Sequence, residues 1–185
     1  MARPKVRIIL LCEDQRHAHF VIKLCEQLGH QPVRVVIAPK GTGSAEQWVR
    51  KNYAQEVKRL RGHGDELVGL VVVVDGDRFG VAQRKQSLAD SLQDGQYEPR
   101  KDGERIVLLV PTWSVETWFA WLCDLPSDSE AIQYKKDSSF NDAWKRGQIS
   151  PTKAADAYRL GQRDGEQQAV PSLADGRAEM QRLAQ

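Results

Sequence analysis

At 185 residues, 41% hydrophobic and 28% charged, the chain is long enough to bury a core of its own and too apolar to be an extended disordered segment. Its formal net charge is only +2, so attraction to an anionic partner must come from local patches and not from an overall field. Three cysteines, Cys12, Cys25 and Cys123, form no close pair and leave an odd number, which excludes a disulfide framework and suits a reducing cytoplasm.

The opening "MARPKVRIILLCED" runs into Glu13 and Asp14 too soon for a signal peptide. No other segment approaches the about 18 apolar residues that span a bilayer, so no membrane partner is expected. A first strand is read over residues 6–12, "VRIILLC". The helix that follows carries Phe20, Leu24 and Leu28 at helical spacing before Gly29. A second strand, "VRVVIA", leads through the Gly-rich "PKGTGS" to a helix capped by Ser44, with Trp48, Tyr53, Val57 and Leu60 on one face. "VVVV" then makes a third strand with no polar alternation, as expected of one covered on both faces. "VAQRKQSLADSLQDG" supplies the next helix, "RIVLLV" a fourth strand, and "TWSVETWFAWL" an amphipathic helix.

Strict alternation of strand and helix predicts an α/β fold, a Rossmann-like parallel sheet of about four strands with helices on both faces. This core is assigned to residues 1–123. Residues 124–185 are read as an extension, with a polar stretch over 124–153 that serves as a docking surface or flap. Short closing helices follow over "AADAYRLGQRDGEQQAV" and "SLADGRAEMQRLAQ", the second begun by Pro171 and Ser172.

The chemistry concentrates where strands end. "VVVVDGDRFG" closes on Asp75 and Asp77, and "LLCED" closes the first strand on Glu13 and Asp14. Parallel strands end at the same sheet edge, where ligands of open α/β sheets bind. If the first and third strands are neighbours, three or four carboxylates share a cleft, an arrangement that calls for a cation or a shared proton. Hard oxygen donors favour Mg²⁺ or Mn²⁺. Cys12, His17 and His19 do not make a credible zinc set, and both histidines are placed on a surface helix. The alternative reading of Asp75-Gly76-Asp77 is a solvated turn with Asp77 capping the next helix.

A glutamate closing the first strand in "ILLCED" and an Asp-x-Asp closing a later one in "VVVVDGD" resemble the Toprim domain. The segment "VLLVPTWSVETWFAWL", in which Pro111 leads to Glu116 and Trp118, is similar to small stand-alone Toprim-like and OLD-type nuclease subunits associated with phage defence and partner ATPases. The resemblance covers roughly residues 6–122. It implies a cytoplasmic, Mg²⁺-dependent phosphodiester hydrolase with Glu13 as general acid/base or metal ligand, and Asp75 and Asp77 as metal ligands. Glu116 is a weaker metal ligand in this reading, since an acid at a helix start also favours the macrodipole. No large tyrosine-bearing domain accompanies the core as in topoisomerases, which leaves hydrolysis. It further implies nucleic acid as partner, DNA in the first place, and an ATPase as a candidate protein partner; a homo-oligomer is compatible with the sequence.

The helix segment "RKNYAQEVKRLR" carries five basic residues and one acid. Arg50, Lys51, Lys58 and Arg59 are the candidates there for phosphate contact, against a solvated helix exterior with its aromatics in the core. Arg78 and Arg84 follow the aspartates closely enough to meet nucleic acid, and Lys85 is the candidate to stabilise a transferred phosphoryl charge. "PKGTGS" lacks the Lys-Ser/Thr of a P-loop, so nucleoside triphosphate binding is not expected. Two other classes stay in view: a receiver-like phospho-acceptor module, disfavoured by the missing fifth strand, and a non-catalytic Toprim-like subunit whose acids bind a partner.

Overall fold

The computed structural model describes residues 5–41, 43–64, 66–125, 129–161 and 170–185. Four strands, β1 (Arg7–Cys12), β2 (Gln31–Ile37), β3 (Val68–Val73) and β4 (Ile106–Leu109), form one sheet in the order β2-β1-β3-β4. Every pairing is parallel. The helices between them are α1 (Gln15–Gln27), α2 (Ala45–Arg61) and α3 (Gly80–Asp94), and α4 (Val115–Leu122) follows β4. The α/β, Rossmann-like architecture is therefore as the alternation predicts.

Each strand shows one set of side chains to each face. Ile8, Leu10, Cys12, Val71, Val73, Val107 and Leu109 enter one core with Phe20, Leu24, Trp118 and Phe119 from α1 and α4. Ile9, Leu11, Leu70, Val72, Ile106 and Leu108 enter the other with Val49, Tyr53 and Val57 of α2 and Leu88 and Leu92 of α3. This explains the missing polar alternation in β3, all six residues of which are buried. Each buried aliphatic side chain contributes about 1.5–3 kcal/mol, and the two layers fix the sheet edge on which the site is built.

Residues 129–184 add α5 (Ser138–Lys145), α6 (Pro151–Arg159) and α7 (Pro171–Met180), with short 3-10 turns at Ser129–Ala131, Tyr134–Lys136 and Gln181–Ala184. They share the core of the first face through Tyr134, Phe140, Ile149, Ala154, Leu173 and Leu183. The stretch over 124–153, read as a docking surface or flap, is corrected in its second form: its described residues, 124–125 and 129–153, send Tyr134, Phe140, Ala143 and Ile149 into the core. The polar composition hid α5, whose Phe140 and Ala143 are the inward-facing residues and whose first turn is capped by Asp137 accepting from Phe140 N–H at 2.8 Å. The helix read from "AADAYRLGQRDGEQQAV" starts earlier, at Pro151 behind a Ser150 cap, and ends at Arg159; residues 162–169 of that reading lie outside the described residues.

A candidate active site at the carboxyl edge of the sheet

The register pairs Cys12 with Val73, so the chain leaves β1 and β3 side by side. Glu13 Oε1 there accepts the Asp75 backbone N–H at 2.6 Å. Asp75 is 2% exposed and both its carboxylate oxygens are engaged. Oδ1 lies 2.8 Å from His17 Nε2 and accepts the Val115 N–H at 3.1 Å, while Oδ2 accepts from Lys135 Nζ at 2.5 Å. These partners come from the first turn of α1, the start of α4 and the 3-10 turn at Tyr134–Lys136. His17 is placed there by Asp14, the N-cap of α1, whose Oδ1 accepts from the N–H groups of Arg16 and His17 at 2.8 and 3.0 Å.

Gly76 explains why two aspartates flank a glycine. A Cβ at this position would stand 2.8 Å from the Pro111 carbonyl oxygen, which accepts the Gly76 N–H. Close approach of the two loops continues at Asp77, whose N–H donates to the Trp113 carbonyl at 3.0 Å. Both Asp77 and Trp113 have positive φ, 47° and 60°, conformations that cost a non-glycine residue about 1–2 kcal/mol. The side chain of Asp77 is 55% exposed and bonds Arg84 Nη2 at 2.8 Å. It does not cap α3, which has no side-chain cap.

Burial pushes the Glu13 carboxyl up, and the adjacent Asp75 charge adds to this; His17 and Lys135 offset only part, leaving it at about 7. For His17, burial favours the neutral ring, but the charge and hydrogen bond of Asp75, with Asp14 and Glu13 behind, outweigh it and raise the imidazole to about 9. Burial would raise Asp75, yet His17 and Lys135 hold it below the ordinary carboxylate range. The same contact raises Lys135 against its own desolvation. At neutral pH the cluster therefore holds an ionised Asp75 between two cations and a Glu13 poised to exchange a proton. The thiols of Cys12 and Cys25, pushed to about 12 chiefly by burial, are not nucleophiles at that pH.

Of the three or four carboxylates expected to share a cleft, Glu13 and Asp75 are brought together, and the cations that relieve them belong to the protein. Glu116 is fully buried and its Oε1 is taken by Arg16 Nη1, whose guanidinium also lies 4.4 Å from the Trp144 ring centroid. Its Oε2 has no hydrogen-bond partner among the described residues. Hard oxygens suit Mg²⁺ or Mn²⁺ in kind. In arrangement they do not: among the described residues no three Asp, Glu, His or Cys side chains converge as ligands, Asp77 turns to Arg84, and Asp75 is closed by His17 and Lys135. The metal set expected from Glu13, Asp75, Asp77 and Glu116 is thus not assembled as such.

Other expectations are also relocated. His17, expected on a helix surface, is buried, while His19 is exposed. Lys85 is not brought to the cluster; its ammonium bonds Asp175 and Glu179 of α7 at 2.8 and 2.9 Å. Arg84 is buried and spans the Asp75 carbonyl, Asp77 and Glu46, so it braces the loop and presents no free face to nucleic acid. Arg78 does reach the cleft described below. On α2, Tyr53 is core, Arg50 lies 3.6 Å from Glu46, and Arg59 bonds Glu56 at 2.6 Å. Lys51 and Lys58 are exposed. Glu46 touches the site through Arg84, and Lys58, twelve residues on, lies about 18 Å along the helix, so the basic end of α2 is remote from the carboxylates.

Reading the sequence alone missed His17, Lys135 and Arg16. His17 carried a usable signal, since it shares the apolar stripe of Phe20, Val21 and Leu24. Lys135 carried none, being 60 residues from Asp75. Comparison of the chain with protein-family models, with curated proteins and with solved structures gives no significant match. Among the described residues no helix is long and apolar enough to cross a membrane.

Proposed function

We propose that this chain is a phosphodiester hydrolase acting on nucleic acid, with Glu13 as general base. The observation that carries the reading is Glu13 itself: a half-buried carboxyl raised to about 7, hydrogen-bonded to Asp75 at the carboxyl edge of a parallel sheet. A general base works best when its pKa lies near the working pH. In its ionised form Glu13 takes a proton from water as the water oxygen bonds to phosphorus; the bond to the leaving oxygen breaks and that oxygen recovers the proton. Asp75 holds His17 and Lys135 charged beside it, and these cations stabilise the added negative charge of the transition state. The Mg²⁺ or Mn²⁺ implied by the Toprim resemblance belongs to the proposal as a requirement to be measured, because an ion could reach Asp75 Oδ2 only after Lys135 leaves.

The receiver-like alternative is less supported, since the Asp75 oxygens are buried and engaged. Cleavage of plasmid, linear DNA and RNA in Mg²⁺, Mn²⁺ and chelator tests the proposal. The rate should rise as pH passes through about 7, where Glu13 ionises, and fall above about 9, where His17 loses its charge. Glu13→Gln should lower it by about 10²–10⁴-fold. Equal cleavage by the Glu13→Gln protein, or none by the wild type on any substrate, refutes the assignment.

A further inference from the structure

Beside the carboxylates opens a cavity of about 400 Å³ whose walls bring Phe79 and Trp113 together with Arg78, Lys135 and Lys136. We propose that this cavity is a subsite for one unpaired nucleotide of a single strand, its base on the aromatic wall and its phosphate on the cations. The inference rests on the hydrolase reading for its place in a reaction, and on independent features for its ligand.

Phe79 is 41% exposed, the one aromatic among the large apolar side chains left open among the described residues. It is not stray surface, because Arg78 and Arg84 guanidinium carbons each lie 5.0 Å from its ring centroid and Arg84 is itself pinned from below. Trp113 is held by its edge: Nε1 donates to the Glu130 carbonyl at 2.8 Å. With its sole donor spent, the indole offers only a π-surface to a ligand, which every base can use and no duplex exposes.

The walls are built in place. Asp77 and Trp113, both at positive φ and both lining the cavity, are tied to each other by an antiparallel backbone bridge. Glu130 fastens the Trp113 loop further by accepting from Thr112 Oγ1 at 2.7 Å and from the Ser172 N–H at 2.8 Å. Strain kept in two loops that carry the aromatic walls is preorganisation of those walls. The charge is equally one-sided. Asp77, the acid on the wall, is bonded to Arg84, whereas Arg78 and Lys136 stand exposed.

Size selects the form of the ligand. The cavity is in the range of about 300–1,000 Å³ typical of small-ligand sites, too small for a duplex whose major groove alone is about 12 Å wide. Lys135 lines the cavity and also bonds Asp75, so a phosphate seated on it adjoins the Glu13–Asp75 pair.

The test is binding in chelator, where hydrolysis is followed separately, using a fluorescein-labelled ten-nucleotide thymidine strand and a blunt duplex of the same length. The wild type should prefer the single strand at least tenfold. Phe79→Ala should weaken single-strand binding about 5- to 150-fold, the loss of one stacked base, and Lys136→Ala should reduce the salt slope by about 0.7. Equal or tighter duplex binding, or an unchanged affinity in Phe79→Ala, overturns the subsite. So does thymidine monophosphate competing as well as the strand, which would assign the cavity to free nucleotides. The two readings fail separately: cleavage by wild type with Phe79→Ala binding normally sinks the subsite alone, and Phe79-dependent binding without cleavage sinks the hydrolase alone.

Discussion

Two buried carboxylates in this molecule have nearly the same partners and different surroundings. Glu179 on α7 receives Arg100 at 2.5 and 3.0 Å, Lys85 at 2.9 Å and the Leu108 N–H at 3.1 Å. Asp75 receives His17, Lys135 and the Val115 N–H at similar distances. Both are held below the ordinary carboxylate range, against burial, by the cations they touch. The difference is where the second acid stands. Glu13 lies directly against Asp75 and is forced up to about 7, while the second acid beside Glu179, Asp175, has a cation of its own, bonding Lys85 at 2.8 Å. Lys135, moreover, is 45% exposed at its side chain and borders a cavity. A buried ion cluster thus fastens a helix in one place and leaves a proton poised in the other.

The largest effects should separate the pair in opposite senses. Asp75→Asn should cut cleavage at least about 100-fold, in line with loss of transition-state charge stabilisation, while Glu179→Ala should leave cleavage by the folded protein intact and cost about 3 kcal/mol in urea unfolding, the penalty for stranding buried cations. If Glu179→Ala abolishes cleavage at a temperature where it is folded, the contrast is wrong.

Next comes pH. Glu13, raised from 4.5 to about 7, and His17, raised from 6.5 to about 9, both bind a proton more tightly when folded. Each contributes stability that is full below its unfolded value and lost as pH rises through its folded value. These two groups should therefore lower the urea midpoint as pH rises from 4.5 to about 7 through Glu13 and from 6.5 to about 9 through His17, and in Asp75→Asn the alkaline part of this slope should flatten because His17 loses the partner that raised it. Imidazole resonances in NMR give the direct reading: a His17 that titrates near 6 in the wild type breaks the comparison.

The smallest effect concerns Lys135. Replacing it with Ala removes the charge beside Asp75 Oδ2 and should raise Mn²⁺ affinity about tenfold in calorimetry, the scale of one charge at close range screened by water. An unchanged affinity would mean that Lys135 does not guard the oxygen.

The sheet was legible because its central strands, β1 and β3, are aliphatic runs followed by acids, and parallel pairing alone then brings Glu13 to Asp75. What escaped lies in long-range placement. Lys135 sits in a segment whose polar letters conceal two inward residues, Tyr134 and Phe140. Lys85 and Arg84 are adjacent on α3, and the about 100° between successive helical residues sends the first to α7 and the second into the loop between the aspartates. The basic letters of α2 read as one patch, yet Arg59 and Arg61 are answered by Glu56 and Glu104.

Gly69 in the middle of the sheet leaves room that Leu183 fills: a Cβ there would meet Leu183 Cδ2 at 2.9 Å. Trp118 closes in the same way on α7, donating to Ser172 Oγ at 2.8 Å with its ring against Gly176. These contacts join positions more than fifty residues apart, one pair more than a hundred, and closing such loops is what slows a folding chain. Docking of α7 onto β4 should accordingly be a late event in refolding. Because Glu130, which fastens the Trp113 loop, is bonded to Ser172 at the start of that helix, the cleft would acquire its final shape only in that last kinetic phase, after the sheet itself has formed.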